Sequence, residues 1–237
     1  MKNPLLSISF SLLLFPAHYL ESKDAPIPDK KIVVTHSINE QAEILYNELH
    51  LSDAGLSETG FAYAYTGYEC LVKKGKINSD ALLAICDLTQ SSNKKRFYIL
   101  DLSANKILLT SYVAHGRGSG MEFATRFSNK ANSHQSSLGF YITSNTYYGE
   151  HGLSLRLEGL EPGFNDHAIR RNIVIHGAKY IGDEYLDDNK FMGRSYGCPA
   201  VPQNESTEII NLIKNGNCLF IYHPTKIYLQ RSHILNG

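Results

Sequence analysis

Residues 97–113 read FYILDLSANKILLTSYV, two apolar runs joined by the turn-forming residues Ser103, Ala104 and Asn105. Two such runs, separated by a short polar turn, are typical of a β-hairpin. The sequence therefore predicts a hairpin here. This hairpin also marks the point where the pattern of the chain changes from helical to extended.

Short apolar segments continue from this hairpin towards the C-terminus, and glycines and asparagines separate them as in turns between strands. A helix is also predicted over residues 204–215, ending at Gly216. Because strands dominate from residue 96 onward, the sequence predicts an α+β fold, mainly β, built as a β-sandwich or open barrel. The predicted strands after the hairpin are 138–143, 153–157, 173–176 and 218–222.

The pattern before residue 96 is helical. Ser37 and Glu40 have the spacing of a capping box, which predicts a helix start. A second helix is predicted from about residue 57 to residue 75, and a short third one over residues 80–88. We expect three regions: residues 1–20, a small helical region over 37–90 without a catalytic signature, and a catalytic domain over 94–225.

The first twenty residues have the composition of an export signal. Lys2 supplies a positive charge, residues 5–15 form an apolar run, and Pro16 and Ala17 lead into a polar stretch. The apolar run is too short to span a bilayer in the usual way. We therefore expect residues 1–20 to be a signal peptide or an uncleaved anchor. The protein would then be periplasmic, associated with the cell wall, or secreted.

Length and composition limit the possible partners and the redox chemistry. The 237 residues suit one catalytic domain with a small appendage, and the 23 basic and 23 acidic side chains give no reason to expect nucleic acid. Cysteines in an exported chain suggest disulfides. Cys70 and Cys86 could pair, whereas Cys218 is expected to be a buried free thiol. A bond from any of them to Cys198 would prevent that residue from acting as a nucleophile.

One cysteine lies in a setting that suits a nucleophile, the run Gly193-Arg194-Ser195-Tyr196-Gly197-Cys198-Pro199. A thiol must become a thiolate to attack, and a nearby imidazole is the usual means. His176, which ends a predicted strand and precedes Gly177, is the candidate base. Gly197 leaves room for a substrate carbonyl near the backbone. The alternative is a buried, inert cysteine.

Other residues of the same run have candidate roles. The backbone amides of Tyr196, Gly197 and Cys198 are the predicted oxyanion hole, because a tight turn that contains glycine points successive N–H groups one way. Ser195 is expected to fix that turn, and Tyr196 to line the groove or simply to pack. Arg194 is the candidate for binding a substrate carboxylate, with a plain surface arginine as the alternative.

Further motifs point to no additional chemistry. His115 could be a second base or a substrate contact, although a structural role at a strand end is favoured. Residues 116–120 read GRGSG but lack the Lys-Ser/Thr ending of a phosphate loop, so a flexible β-loop is expected. No His-Glu-x-x-His pair and no zinc-ribbon cysteine spacing is present. Neither a metal nor an organic cofactor is expected.

His-Gly at residues 176–177, followed by Ser-x-Gly-Cys at 195–198, resembles the murein L,D-transpeptidase catalytic domain family. These are cysteine-dependent enzymes of the bacterial cell wall with the YkuD-type fold. The resemblance implies that Cys198 is the nucleophile and that His176 is the general base, oriented by a backbone carbonyl near the His-Gly pair. The likeness extends to residues 127–129, 136–141, 148–149, 152–157 and 171–178 and to the strand that ends at Tyr222.

The chain departs from the commoner branch of this family at one position near the nucleophile. That branch has an arginine two residues after the cysteine, where this chain has Ala200. Binding of the substrate is therefore expected at Arg194 or Arg171. Further expected substrate contacts are Gly177, Ser195 and Tyr196.

The resemblance implies an exported L,D-transpeptidase that acts on peptidoglycan stem tetrapeptides. A thioester acyl-enzyme would release D-alanine and transfer the acyl group to an amine of a second stem, a D-amino acid or a wall-anchored protein. Two alternatives remain open. One is an L,D-carboxypeptidase or another cysteine peptidase of cell-wall peptides, and the other is a non-catalytic peptidoglycan-binding module. The sequence does not determine the acceptor or the oligomeric state.

Overall fold

The computed structural model of the chain describes residues 40–237. The strands of this part form one mixed sheet, with helices before, between and after them. The helices are α1 (Glu40–Glu48), α2 (Glu58–Lys73), α3 (Asp183–Asp188), α4 (Ser206–Ile213), α5 (Lys226–Arg231) and α6 (His233–Asn236). The strands are β1 (Leu83–Asp87), β2 (Phe97–Asp101), β3 (Lys106–Ser111), β4 (Gly139–Gly149), β5 (Gly152–Gly159), β6 (Val174–Ala178), β7 (Ala200–Pro202) and β8 (Cys218–Tyr222).

The sheet has the strand order β3-β2-β1-β8-β4-β5-β6-β7. The parallel pair β1 and β8 lies in its interior, and every residue of both strands is buried. Strands covered on both faces are expected to be continuous apolar runs, as these two are apart from Asp87 at the end of β1. The predicted α+β class, mainly β, is confirmed.

The two ends of the sheet approach each other through the segment that follows β3. The Ala114 N–H donates to the Ala200 carbonyl of β7 at 2.8 Å. Further along, Ser195 and His115 are joined at 3.1 Å, and Arg117 and Ser195 at 2.7 Å, by backbone hydrogen bonds. The sheet therefore curls into an open barrel. These bonds fix the run that contains Cys198 against residues 114–117.

Helix α2 forms as its sequence predicts and packs into the same core as the sheet. The Ser57 side chain caps it by accepting the Gly60 N–H at 3.1 Å. Just past its end, Gly75 adopts the left-handed conformation with φ of 63°. The face that this helix buries against the sheet contains Phe61, Ala64, Tyr65, Tyr68 and Leu71.

The predicted helix over residues 80–88 is wrong, because Leu83–Asp87 is strand β1. A short apolar run fits a buried strand as well as a buried helix, so periodicity alone does not distinguish the two. Pairing with β2 on one side and β8 on the other decides for the strand. The helical region therefore ends before residue 80. Cys86 lies in this strand.

The remaining elements divide into those that were predicted and those that were not. The hairpin of β2 and β3, the strands β4, β5, β6 and β8, and the helix α4 are confirmed. No prediction covered the three-residue strand β7 or the short helices α3, α5 and α6. The predicted signal over residues 1–20 and the cap at Ser37 lie outside the described residues.

Two further features bear on the predictions. The thiols of Cys70, Cys86, Cys198 and Cys218 are all free, so the suggested pairing of Cys70 with Cys86 is absent. None of the helices within residues 40–237 has both the length and the apolar composition that a membrane span requires.

Candidate active site

The positions of Cys198 and His176 follow from the pairing of β6 with β7. The two strands are parallel, with His176 opposite Ala200, so Cys198 lies two residues before the partner of His176. Cys198 itself lies in the bend that leads into β7. Its side chain and that of His176 line one cleft of about 670 Å³.

The imidazole of His176 is held in one tautomer. The side chain is 3% exposed, and its Nδ1 lies 2.9 Å from the Gly177 carbonyl, to which it donates. The expected backbone carbonyl contact is therefore present, and Nε2 is left as the acceptor. Burial lowers the pKa of His176, and the charge of His151 lowers it further, while the bond to Gly177 opposes these effects. The ring is therefore neutral near neutral pH.

A second histidine, which sequence reasoning missed, covers this imidazole. His151 lies in the turn between β4 and β5, and its ring stacks on the ring of His176. The antiparallel pairing of Ser154 with His176 brings this turn over the cleft. The only local signal was the polar pair Glu150 and His151 between two glycines.

The thiol of Cys198 is half-buried and donates to the Asn172 carbonyl over 3.5 Å. Burial raises the pKa of this thiol, while the Val174 N–H and the charge of Arg171 lower it in part. The resting thiol is therefore protonated near neutral pH. The pair at rest consists of a neutral thiol and a neutral imidazole.

The turn before the thiol is fixed by the Ser195 hydroxyl, as the sequence suggested. Its Oγ accepts the Gly197 N–H at 3.0 Å and donates to the Cys198 carbonyl at 2.6 Å. Gly197 has φ of 124°, and a Cβ there would lie 2.7 Å from the Gln135 carbonyl oxygen, so only glycine fits.

This turn changes the expected set of oxyanion donors. The Gly197 N–H already donates to Ser195 Oγ and is not available to a substrate. Among residues 40–237, no acceptor is found for the N–H groups of Tyr196 and Cys198. Two of the three expected donors therefore remain free at the turn.

Arg171 lines the cleft, but its guanidinium is bound to protein groups. Its Nη1 donates to the Ser128 carbonyl at 2.7 Å and to Ser137 Oγ at 2.5 Å. Its Nη2 donates to the Gln135 carbonyl at 2.7 Å and to Ser133 Oγ at 3.3 Å. Arg171 thus fixes the loop over residues 128–137. Its terminal nitrogens are not free to bind a substrate carboxylate.

The other expected substrate contacts differ in position. Arg194 lines the cleft and donates through Nη1 to the Gly120 carbonyl at 3.0 Å. Tyr196 also lines the cleft and is 63% exposed. Gly177 does not face the cleft, because a Cβ there would meet the Ser206 side chain of α4 at 2.7 Å. Its carbonyl orients His176 instead.

His115 has the structural role that the sequence favoured. It is fully buried, and its Nδ1 lies 2.8 Å from an Nη of the buried Arg96. Burial, together with the charge of Arg96, lowers the pKa of His115 to about 3, so the ring is neutral. No group of three or more His, Cys, Asp or Glu side chains among the described residues could hold a metal ion.

Solved structures similar to this chain include several L,D-transpeptidases. The match to the enzyme of Mycobacterium smegmatis has 10% identity and a TM-score of 0.37, and covers 60% of this chain and 59% of that one. The match to the enzyme of Xylanimonas cellulosilytica has 14% identity and a TM-score of 0.35, and covers 76% of this chain and 93% of that one. The match to the helical cell shape determining protein of Campylobacter jejuni has 14% identity and a TM-score of 0.40, and covers 69% of this chain and 57% of that one. No curated protein matches the chain significantly.

The sequence model of the L,D-transpeptidase catalytic domain matches residues 52–222. The matched range is more than half of the chain. It runs from just before α2 to the end of β8 and includes both His176 and Cys198. The chain therefore belongs to the L,D-transpeptidase catalytic domain family.

Proposed function

We propose that the protein is a cysteine-dependent L,D-transpeptidase that acts on peptidoglycan stem tetrapeptides. One arrangement carries this proposal. The Cys198 thiol and the His176 imidazole line one cleft, beside the free N–H groups of Tyr196 and Cys198. A nucleophile, a base and two aligned donors are what acyl transfer through a thioester requires.

The first step is attack by Cys198 Sγ on the carbonyl of the third stem residue. His176 Nε2 takes the thiol proton as the S–C bond forms. Since thiol and imidazole are both neutral at rest, this proton transfer accompanies the attack. The oxygen of the tetrahedral intermediate accepts the N–H groups of Tyr196 and Cys198.

Collapse of this intermediate breaks the C–N bond to the terminal D-alanine. His176 gives its proton to the departing amine, and a thioester to Cys198 remains. An acceptor amine then attacks the thioester carbonyl and transfers a proton to His176. That proton returns to Sγ when the C–S bond breaks, so the enzyme is regenerated without any cofactor.

The identity of the acceptor separates the proposal from its alternative. An amine of a second stem, a free D-amino acid or a lysine of a wall-anchored protein gives transpeptidation. Water gives an L,D-carboxypeptidase with the same acylation step. Peptidoglycan lies outside the cytoplasm, so the proposal includes an exported protein, directed there by residues 1–20.

The acyl-enzyme is the most direct test of this mechanism. The protein is mixed with a synthetic stem tetrapeptide, quenched in acid, and measured by intact-protein mass spectrometry. Wild-type protein is expected to carry the tripeptidyl adduct, Cys198→Ala is expected to carry none, and Cys70→Ala is the matched control that retains it. Binding of sacculi by wild-type protein without any adduct would instead favour a binding module.

A further inference from the structure

A second hollow of about 450 Å³ shares lining residues with the cleft that contains Cys198. Two arginines, Arg117 and Arg194, line both spaces and therefore stand at their junction. The far side of the hollow is lined by Tyr185, Phe191, Met192 and Gly193.

The side chain of Arg117 is held in place by an aromatic ring. Its guanidinium carbon lies 5.2 Å from the ring centroid of Tyr196, and its Nη1 donates to the Tyr196 hydroxyl at 3.3 Å. The ring of His134 also packs against Tyr196, with centroids 4.5 Å apart. The backbone is fixed as well, because the Arg117 N–H donates to the Ser195 carbonyl. Residues 116–120 are thus tied to the turn that carries the nucleophile.

Neither arginine at the junction is neutralised. Within residues 40–237, the one ion pair is His167 with Asp166, and no carboxylate lies within 4.0 Å of Arg117 or Arg194. A guanidinium has five N–H donors. The protein groups described above use one nitrogen of each side chain, Nη1. The remaining donors are free for a ligand.

We propose that Arg117 and Arg194 form a carboxylate-binding subsite at this junction, which takes the C-terminal carboxylate of the donor stem peptide. This inference rests on the proposed function and deepens it, because it makes Arg117 a specificity-determining residue. A planar guanidinium can donate two parallel hydrogen bonds to the two oxygens of one carboxylate.

Binding to a protein that cannot turn over tests the subsite separately from the reaction. In the Cys198→Ala background, calorimetry compares a stem tetrapeptide that ends in a free carboxylate with the same peptide ending in an amide. Arg117→Gln is expected to weaken binding of the acid about tenfold, on the scale of one lost charge-assisted hydrogen bond, and to leave binding of the amide unchanged. Arg117→Lys should restore part of the loss.

The matched control is Arg170→Gln, which removes an exposed arginine outside the cleft lining and should change neither affinity. Equal losses for acid and amide with Arg117→Gln, or no loss for either, would overturn the subsite. If the acid binds through Arg117 but wild-type protein forms no acyl-enzyme, the subsite stands and the transpeptidase proposal fails.

Discussion

The imidazole of His151 stacks on the imidazole of His176, with ring centroids 4.2 Å apart and planes inclined at 21°. The stack covers the proposed base from the side of the β4–β5 turn. A charge on His151 would repel a proton on His176, which adds to the effect of burial in lowering the pKa of His176. His151 therefore extends the pH range in which the base is neutral.

Replacing His151 by phenylalanine keeps a stacked ring and removes the charge. The pKa of His176 should then rise, because one of the two effects that lower it is gone. Activity requires neutral His176, so the acid limb of kcat/KM should move to higher pH by a fraction of a unit. The measurement is kcat/KM against pH across about pH 5 to 8. His233→Phe, at an exposed position of α6, is the control, and an acid limb that stays in place or moves to lower pH would contradict this account.

Alkylation should show that Cys198 is a protonated thiol at rest. Burial raises the pKa of this thiol, so its reaction with iodoacetamide at neutral pH should be slower than that of free cysteine and should accelerate as pH rises. The rate is followed by intact-protein mass spectrometry in a Cys70→Ser background, which removes the other partly exposed thiol. A rate that is high and independent of pH around neutrality would indicate a preformed thiolate instead.

Loss of the Ser195 hydroxyl should damage the turn over residues 195–198. Ser195→Ala leaves the buried Gly197 N–H without an acceptor, at a cost of about 1–3 kcal/mol in unfolding free energy. We also expect kcat to fall at least about tenfold with little change in KM, because the variant disturbs the position of the Cys198 thiol and leaves the groups that bind substrate in place. Urea unfolding and steady-state kinetics measure the two effects. Ser144→Ala, on β4, is the control, and unchanged kcat would show that the hydroxyl does not fix the turn.

A buried carboxylate connects the C-terminal helices to the sheet and gives a pH-dependent stability. Glu161 accepts the Phe140 N–H at 2.9 Å and the Tyr228 hydroxyl at 2.8 Å, and it also accepts the Ser232 hydroxyl. Burial raises the pKa of Glu161, although these three bonds lower it in part. The folded state thus retains the proton to higher pH than the unfolded state does.

The contribution of Glu161 to stability is therefore fully present below its unfolded pKa and is lost as pH rises through its folded pKa. Glu161→Gln removes this titration. Relative to wild type, the free energy of unfolding of the variant should increase as pH rises from about 4.3, the ordinary pKa of glutamate, to neutrality. Urea unfolding of both proteins at the two ends of that range measures the difference. A constant difference in unfolding free energy would contradict the raised pKa.

Features with a local cause could be predicted from the sequence. The start of α2 near residue 57, the glycine after α2 and the turn at residues 103–105 depend on neighbouring residues, and all appear in the structure. Strand β1 could not be predicted in the same way. Its five buried residues are extended because β2 and β8 pair with them, and β8 is distant in sequence.

The same distinction explains the site. His176 and Cys198 could be named from the motif, and Ser195 from the turn that it fixes. His151 and Arg117 could not, because the pairing of β5 with β6 and the bonds from residues 114–117 to the nucleophile run bring them to the cleft. Arg171 was expected to bind substrate, but its terminal nitrogens are already bonded to protein groups. Its bonds to the loop over residues 128–137 are visible only in the folded chain.

Analysis of the products from stem tetrapeptides by mass spectrometry tests the central claim most directly. Wild-type protein, Cys198→Ala and the control Cys70→Ala are each incubated with tetrapeptide muropeptides. The account predicts release of D-alanine together with cross-linked dimers for wild type and Cys70→Ala, and neither product for Cys198→Ala. Release of D-alanine without dimers would indicate the carboxypeptidase. Turnover by Cys198→Ala equal to that of wild type would contradict the assignment of Cys198 as the nucleophile.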